Sequence, residues 1–221
     1  MIGIYGIGWI SREEYGCILK ETEESYNDSV FPKNKIFPFS YKYFGRLDHV
    51  SRLTCAAVAL ALKDAGIECS PERKHDAGII STNASGSFEA DMLYFKDYLD
   101  SGRTLSRGNL FIYTLPSSPS GEAAIYFGLQ GPLLYIAGKN NSTVNALRTA
   151  AEMLLGKEAS VMLAGASEAD HAIYFVLKGE CKTGEEVLCS YDDAVKVLEK
   201  DLSLKESVNE FQNLRKGIKV S

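Results

Sequence analysis

The stretch from 131 to 170 constrains the fold of this chain more than any other part of its sequence. Apolar runs at 133–137 and 159–164 are typical of short buried strands. Between them lie a polar turn at 138–141 and a segment to about Leu155 whose apolar residues recur at helical spacing. Strand, helix and strand in this order predict a βαβ unit with parallel strands and a right-handed crossover.

The polar turn of this unit is where the sequence places a candidate site. It follows the carboxyl end of a strand and opens a helix, so backbone N–H groups without an intrahelical partner point outward there. Ligands of open α/β sheets bind in the same position. The turn consists of Gly138, Lys139, Asn140, Asn141 and Ser142. The alternative is that Asn140 or Asn141 only caps the helix, because asparagine is among the most favoured capping residues.

The composition is that of an ordinary globular chain. Its 221 residues, 45% hydrophobic and 24% charged, suffice for one domain with a full core. A net charge of −5 argues against a nucleic-acid groove. No run approaches the ~20 apolar residues of a membrane span, and the chain does not open on a basic-then-apolar signal. We therefore expect a cytoplasmic protein that binds neither nucleic acid nor membrane.

The cysteines indicate reduced thiols rather than a disulfide framework or a metal site. Their number is odd, their positions are scattered, and none forms a CxxC pair. We expect no metal site and no cofactor. The cysteines lie at positions 17, 55, 69, 181 and 189.

The rest of the chain predicts further strands and helices. Strands are expected at 1–7, 76–81, 171–178 and 185–190. Helices are expected from Asp48 or Ser51 to Gly66 and at 88–99, 118–127, 192–200 and 203–216. We expect one domain at 1–200 and a C-terminal helical tail at 201–221 that packs on it.

The first strand ends in Gly6-Ile7-Gly8, which leaves a dinucleotide site as an alternative. Such sites hold pyrophosphate where a strand leads into a glycine turn and a helix. The third glycine of that fingerprint is Ser11 here, and Ser11 with Glu14 fits a capping box at the start of a helix. Prolines and aromatic residues occupy the next segment, where a second strand and its acidic residue would be needed.

A second alternative is a hydrolase nucleophile elbow at Ser167, with Asp170 and His171 beside it. An elbow needs a helix directly after the serine, whereas residues 171–178 predict a strand. Adjacent strand residues also point to opposite faces, so they cannot form a triad. The residues therefore disfavour this interpretation.

Several motifs resemble the β-ketoacyl synthases of the thiolase-like superfamily. These are Gly131-Pro132 before a strand, Ala164-Gly165-Ala166 with Glu168 closing the next strand, and Arg46-Leu47-Asp48 before an alanine-rich helix that ends in Asp64-Ala65-Gly66. The resemblance covers about residues 1–200, and the tail has no counterpart in it. It implies a single thiolase-like half, an α/β fold of order βαβαβαββ. The mixed sheet would have five strands, with helices on both faces.

On this resemblance the nucleophilic cysteine of the family falls at Asn140, so the nucleophile is absent. The turn at 138–142 would then be an oxyanion-type ligand site that keeps only hydrogen-bonding groups. A full ketosynthase has a second half that supplies two catalytic histidines, and this sequence has no counterpart of it. The family also pairs its matching strand across a two-fold axis. The implied dimer strand is Leu133, Leu134, Tyr135, Ile136 and Ala137.

The resemblance implies three candidate functions. The first is a non-condensing subunit, like a chain-length factor, that partners a β-ketoacyl synthase in fatty-acid or polyketide-type biosynthesis. The second is half of a split ketosynthase or acyltransferase that needs a separate C-terminal half. The third is a non-catalytic acyl-binding or scaffold protein. Expected partners are a second copy or a ketosynthase and, given a basic patch that composition cannot show, an acidic acyl carrier protein.

The helix after the turn indicates how a half-length chain covers its apolar surface. Its apolar arc consists of Val144, Leu147, Ala151, Leu154 and Leu155, and Ala146, Ala150 and Met153 extend that arc to the side. Its polar stripe consists of Asn145, Arg148, Thr149 and Glu152. Burying that stripe unpaired would cost ~1–3 kcal/mol per group, so we expect it to reach solvent and the chain to be complete as it stands. The tail helix is expected to cover the adjoining surface through Leu204, Val208, Phe211 and Leu214.

Overall fold

A mixed β-sheet organises the computed structural model, which describes residues 2–27, 30–70, 72–104, 107–138, 141–179 and 186–218. The described residues form eight strands. They are β1 (Gly3–Ser11), β2 (Glu14–Cys17), β3 (Thr22–Ser25), β4 (Ala77–Asn83), β5 (Leu133–Ala137), β6 (Val161–Ser167), β7 (His171–Lys178) and β8 (Cys189–Ser190). The helices are α1 (Lys33–Ile36), α2 (His49–Asp64), α3 (Phe88–Asp100), α4 (Gly108–Phe111), α5 (Ser118–Phe127), α6 (Ser142–Leu155), α7 (Tyr191–Leu198) and α8 (Leu204–Ile218).

The strand order is β3-β2-β1-β7-β6-β4-β5, and β8 pairs with the start of β1. β4 pairs in parallel with β5 and β6, while the other pairs are antiparallel. The α/β class and the parallel strands around α6 are therefore confirmed, with β4 lying between β5 and β6. The expected number of five strands is wrong, because β2 and β3 extend the sheet beyond β1.

Ser11 and Glu14 were interpreted as a capping box at the start of a helix, but the strand β2 follows β1 instead. Ser11 ends β1, and its Oγ accepts the Glu14 N–H at 3.1 Å. This is the hydrogen bond expected of a capping box, but here it closes the turn of a hairpin between two paired strands. No helix follows β1, so the dinucleotide alternative is wrong.

The glycines of β1 have a packing role instead. A Cβ at Gly8 would lie 2.1 Å from the Ala61 backbone nitrogen, and one at Gly6 would lie 2.5 Å from that of Ala65. α2 therefore lies against β1 at a distance that only glycine permits. Asp48 caps this helix, since its Oδ1 accepts the Ser51 N–H at 2.8 Å.

Helices cover both faces of the sheet. α2 and α5 contribute to one buried cluster, and α6, α7 and α8 contribute to the other. In α8, Val208 and Phe211 are buried, and the Phe211 ring lies 5.4 Å from that of Phe175 on β7. A domain boundary near residue 200 stays a prediction. No described helix has the length and apolar character to cross a membrane.

Candidate active-site turn and its surroundings

The turn that the sequence singled out lies at the carboxyl end of β5 and the start of α6. Lys139 and Asn140 lie outside the described residues. Asn141 occupies the N-cap position of α6 with φ +51°, a left-handed conformation that asparagine adopts more readily than most residues. Its side chain makes no capping hydrogen bond. The structure therefore gives no support to a capping role for the Asn141 side chain.

A second loop, residues 84–87, borders this turn from the carboxyl end of β4. Asn83 holds it in place: its Oδ1 accepts the Gly86 N–H at 2.6 Å, and its Nδ2 donates to the Gly86 carbonyl at 3.0 Å. The same Oδ1 accepts the Tyr135 hydroxyl of β5 at 2.8 Å. Burial raises the pKa of Tyr135, so this hydroxyl remains a donor.

Glu168 holds the same loop from the end of β6. One of its carboxylate oxygens accepts the Ala84 N–H at 3.0 Å. Three side chains thus fix the loop: Asn83 at the end of β4, Tyr135 on β5 and Glu168 just after β6. Of the three, only Tyr135 had been assigned to a candidate site from the sequence. Asn83 and Glu168 were missed because each meets its partners only in the folded sheet. The available signal was their place at the carboxyl ends of predicted strands.

The turn and the loop enclose an open cleft of about 620 Å³. Gly138, Ala137 and Tyr135 line one side of it, and the 84–87 loop with Phe88 lines the other. None of the described residues that line the cleft is a cysteine, a histidine or a lysine. The described walls therefore offer hydrogen bonds, apolar contact and the Asp91 carboxylate to a ligand, but no thiol, imidazole or amine.

The described thiols lie elsewhere, and burial suppresses their ionisation. It raises the pKa of Cys17 and of Cys69 to about 11 and that of Cys189 to about 12. It also raises the pKa of Cys55, which is fully buried in α2. A thiol attacks as its thiolate, so these four are unreactive near neutral pH. Cys181 lies outside the described residues.

The hydrolase alternative fails on geometry as well as on sequence. The strand β7 follows Ser167, where an elbow requires a helix. The Ser167 Oγ accepts the Thr54 hydroxyl at 2.7 Å and donates to the Tyr174 hydroxyl at 3.2 Å. The His171 Nδ1 instead lies 2.7 Å from the Asp170 carboxylate. The serine and the histidine therefore belong to separate hydrogen-bond groups.

β5 is an edge strand of the sheet. It pairs with β4, and no described strand pairs with its other side. Leu133 is 37% exposed and Leu134 is 41% exposed, so the strand presents apolar side chains along with its free edge. An exposed apolar edge strand is an aggregation hazard unless another chain or element covers it. The dimer contact expected from 133–137 stays a prediction.

Comparison with known proteins identifies relatives of this architecture. Residues 16–177 match the model of the family "Beta-ketoacyl synthase, N-terminal domain". Nodulation protein E of Rhizobium leguminosarum bv. trifolii is 27% identical over 123 residues, which are 56% of this chain and 31% of that protein. A putative polyketide beta-ketoacyl synthase 2 of Streptomyces virginiae is 27% identical over 121 residues, or 55% and 30% of the two chains. The matched part thus spans about a third of these relatives.

Solved structures show the same fold at lower identity. The ishigamide ketosynthase/chain length factor superposes with a TM-score of 0.64 at 15% identity, over 85% of this chain and 64% of that one. The second structure is AntDE:AntF, a type II polyketide synthase acyl-carrier protein in complex with its ketosynthase. It superposes with a TM-score of 0.59 at 14% identity, over 85% of this chain and 60% of that one.

Proposed function

Since this chain belongs to the β-ketoacyl synthase family, we propose that it is a non-condensing subunit that partners a cysteine-bearing ketosynthase in fatty-acid or polyketide-type biosynthesis. The observation that carries the proposal is asparagine at position 140, where the family resemblance places the nucleophile. An amide cannot form a thioester. The cysteine-free walls of the described cleft and the suppressed ionisation of the described thiols support the same conclusion.

The cleft retains the features needed to hold an acyl group without reacting with it. Asn83 and Glu168 fix the 84–87 loop, and Phe88 and Ala137 supply apolar contact. Backbone N–H groups at the start of a helix such as α6 lack an intrahelical partner, and such groups bind carbonyl oxygens well. A subunit of this kind shapes the space in which the acyl chain of its partner lies.

An acidic carrier protein would need a basic surface, and the structure offers one despite the net charge of −5. We define the basic aromatic surface as Lys33, Lys42, Arg46 and Arg52 around the rings of Tyr43 and Phe44. Arg46 lies 5.0 Å and Lys42 5.6 Å from the centre of the Tyr43 ring, and Arg52 lies 5.6 Å from that of Phe44. Lys33 and Phe44 line the same cleft of about 270 Å³.

Three cations of this surface, Lys33, Lys42 and Arg46, are exposed, while Arg52 is half-buried and its Nε is shielded from solvent. Within the described part of the chain none of the four forms an ion pair, whereas Lys35 close by is paired with Glu24 at 2.8 Å. Unpaired cations of one sign attract an acidic surface and set the orientation in which it docks. We therefore place the carrier protein at the basic aromatic surface.

Charge reversal tests this placement. In Lys42→Glu/Arg46→Glu, the Kd for an acyl carrier protein is expected to rise about tenfold or more, equivalent to ~1.4 kcal/mol. Its dependence on salt concentration should fall as well. The matched control is Lys200→Glu/Lys205→Glu, which removes two cations that already have acidic partners. Calorimetry at two salt concentrations measures both effects. Equal weakening by the two double variants would remove the carrier from this surface.

Complex formation tests the proposed function itself. The chain is mixed with a cysteine-bearing ketosynthase from the same organism, and the mass of the complex is measured by light scattering. We expect a stable heteromer whose condensing activity or product length differs from that of the ketosynthase alone. If the two proteins elute separately and the activity is unchanged, the chain is not a partner of that enzyme.

One observation favours a second candidate, the split enzyme. The family model that matches is that of the N-terminal domain, and in a split enzyme the C-terminal half is a separate chain. The two functions differ in what restores activity. A half-length chain with the two histidines would restore condensation in a split enzyme, while only an intact ketosynthase would do so for a non-condensing subunit.

A further inference from the structure

The turn at residues 18–21, between β2 and β3, is held by two charged side chains from opposite sides of the sheet. One is Asp64 in the last turn of α2, and the other is Arg215 in the last turn of α8. α2 belongs to one buried cluster and α8 to the other, so this turn is a point at which the two helical layers meet the same backbone.

Asp64 is a buried carboxylate whose oxygens are both used. Its Oδ2 accepts the N–H groups of Ile7 and Leu19 at 2.9 Å, and its Oδ1 accepts that of Lys20 at 2.8 Å. The residue is 1% exposed. A carboxylate at the C-terminal end of a helix is disfavoured by the helix dipole, so these three donors explain its retention there. Asp64 thereby connects the end of α2 to β1 and to the turn.

Arg215 holds the same turn from the other side. Its Nη1 donates to the Ile18 carbonyl at 3.3 Å and pairs with the Glu21 carboxylate. The arginine is 9% exposed, and its Nε has no partner among the described residues. Glu21 has φ +48°, a conformation that non-glycine residues adopt at a cost. The contacts around the turn must therefore hold it in shape.

The two sets of contacts interleave along the chain. Arg215 holds Ile18 and Glu21, while Asp64 holds Leu19 and Lys20 between them. No hydrogen bond or ion pair joins the two side chains directly. We propose that Asp64 and Arg215 act through the 18–21 turn as a latch that makes the docking of α8 and the packing of α2 on β1 mutually dependent.

The latch connects the tail helix to the carboxyl edge of the sheet. α2 runs from Asp64 toward Thr54, whose hydroxyl contacts Ser167 at the end of β6, and toward the cap at Asp48. Asp64 and Arg215 are both buried, so removing the contacts of either side chain leaves polar groups unpaired. The 18–21 turn then becomes less well fixed, which weakens the contacts that the other side chain makes with it. Release of α8 should therefore be detectable in α2, although α8 does not form part of the cleft.

Hydrogen exchange on the full chain tests the latch. In Arg215→Met, we expect hydrogen exchange to become about tenfold faster at the amides of Leu19 and Lys20 and at those of the end of α2. The described contacts of Arg215 include none of these amides. In Asp64→Asn, the amides of 204–216 should become faster by a similar factor. The control Lys205→Met removes an exposed cation of α8 that pairs with Glu14 at 3.6 Å, and it should change neither region.

Amide hydrogen exchange in β4 and β6 distinguishes a local effect from global unfolding. These strands should exchange as slowly in every variant as in the unaltered protein, whereas global unfolding would make them faster. Glu21→Gln removes the ion pair of Arg215 but keeps its contact with Ile18, so it should speed exchange at Leu19 and Lys20 by a smaller factor, and it replaces Arg215→Met if that variant does not fold. In the double variant Arg215→Met/Asp64→Asn the stability losses should be smaller than the sum of the single losses. Strictly additive losses, or faster exchange confined to the helix that carries the substitution, would overturn the latch.

Discussion

Replacing Leu134 with lysine is expected to abolish the predicted dimer, so that the protein becomes monomeric or insoluble. Leu134 lies on β5, whose outer edge has no partner strand among the described residues. Pairing of two such edges across a two-fold axis would place this side chain in the contact. Burying an unpaired ammonium there would cost several kcal/mol, and the dimer Kd should rise by at least about a hundredfold, or ~3 kcal/mol.

The helix α3, which lies across the cleft from β5, supports this expected contact. α3 has no buried residue and exposes apolar side chains along its length. They are Phe88, Met92, Leu93, Phe95 and Leu99, each between 42% and 64% exposed. Patches of this kind are typical of surfaces that another protein covers. Phe88 at the start of α3 and Tyr135 on β5 line the same cleft, so this end of the α3 surface lies close to the edge strand.

Sedimentation over a range of concentrations measures this effect. Leu155→Lys is the matched control, because Leu155 is 73% exposed at the end of α6 and lies outside β5. The control should retain the mass of the unaltered protein. If the unaltered protein is itself monomeric at high concentration, self-pairing through β5 is wrong and only pairing with a ketosynthase remains.

Truncation after Asp201 is expected to produce the largest loss of stability. It removes α8 and with it Val208 and Phe211, which are 4% and 0% exposed. Burial of two such side chains contributes about 3–6 kcal/mol as an upper estimate, a large part of the 5–15 kcal/mol typical of a domain. The melting temperature should fall by roughly 10 °C or more. Newly exposed apolar surface on β7 should increase the binding of a hydrophobic dye.

Phe211→Ala separates packing from chain length. It keeps the helix but removes the ring that lies 5.4 Å from Phe175, so it should reproduce about 3–5 kcal/mol of the loss. Asn209→Ala, on the same helix, is the matched surface control. A truncated protein that melts at the same temperature and stays soluble would show that the tail does not cover this face.

Elements with strong local signals were predicted well from the sequence. The strand at 133–137 is observed with the same limits, and the helix after the turn ends at Leu155 as expected. Apolar periodicity and flanking turn residues determine such elements locally. The arc on α6 was predicted less accurately: Ala146 and Ala150, which were expected at its side, are fully buried, while Leu155 is exposed because the helix ends there.

Features that depend on tertiary contacts were not predictable in the same way. Ser11 and Glu14 form the same hydrogen bond in a capping box and in a hairpin turn, so only the pairing of β1 with β2 decides between them. The 84–87 loop is fixed by Asn83, Tyr135 and Glu168, which are far apart in sequence. Periodicity does not report which distant side chains meet, and net charge did not reveal the basic aromatic surface.

Intact-mass spectrometry shows whether this chain becomes acylated. The protein is incubated with an acyl carrier protein that bears an acyl thioester. We predict no added mass on the unaltered protein, since position 140 is asparagine and burial holds the four described thiols in their neutral forms. Asn140→Cys should gain at most a slowly formed, hydroxylamine-sensitive adduct. An adduct on the unaltered protein that maps to a cysteine and persists in Asn140→Ala would contradict the account.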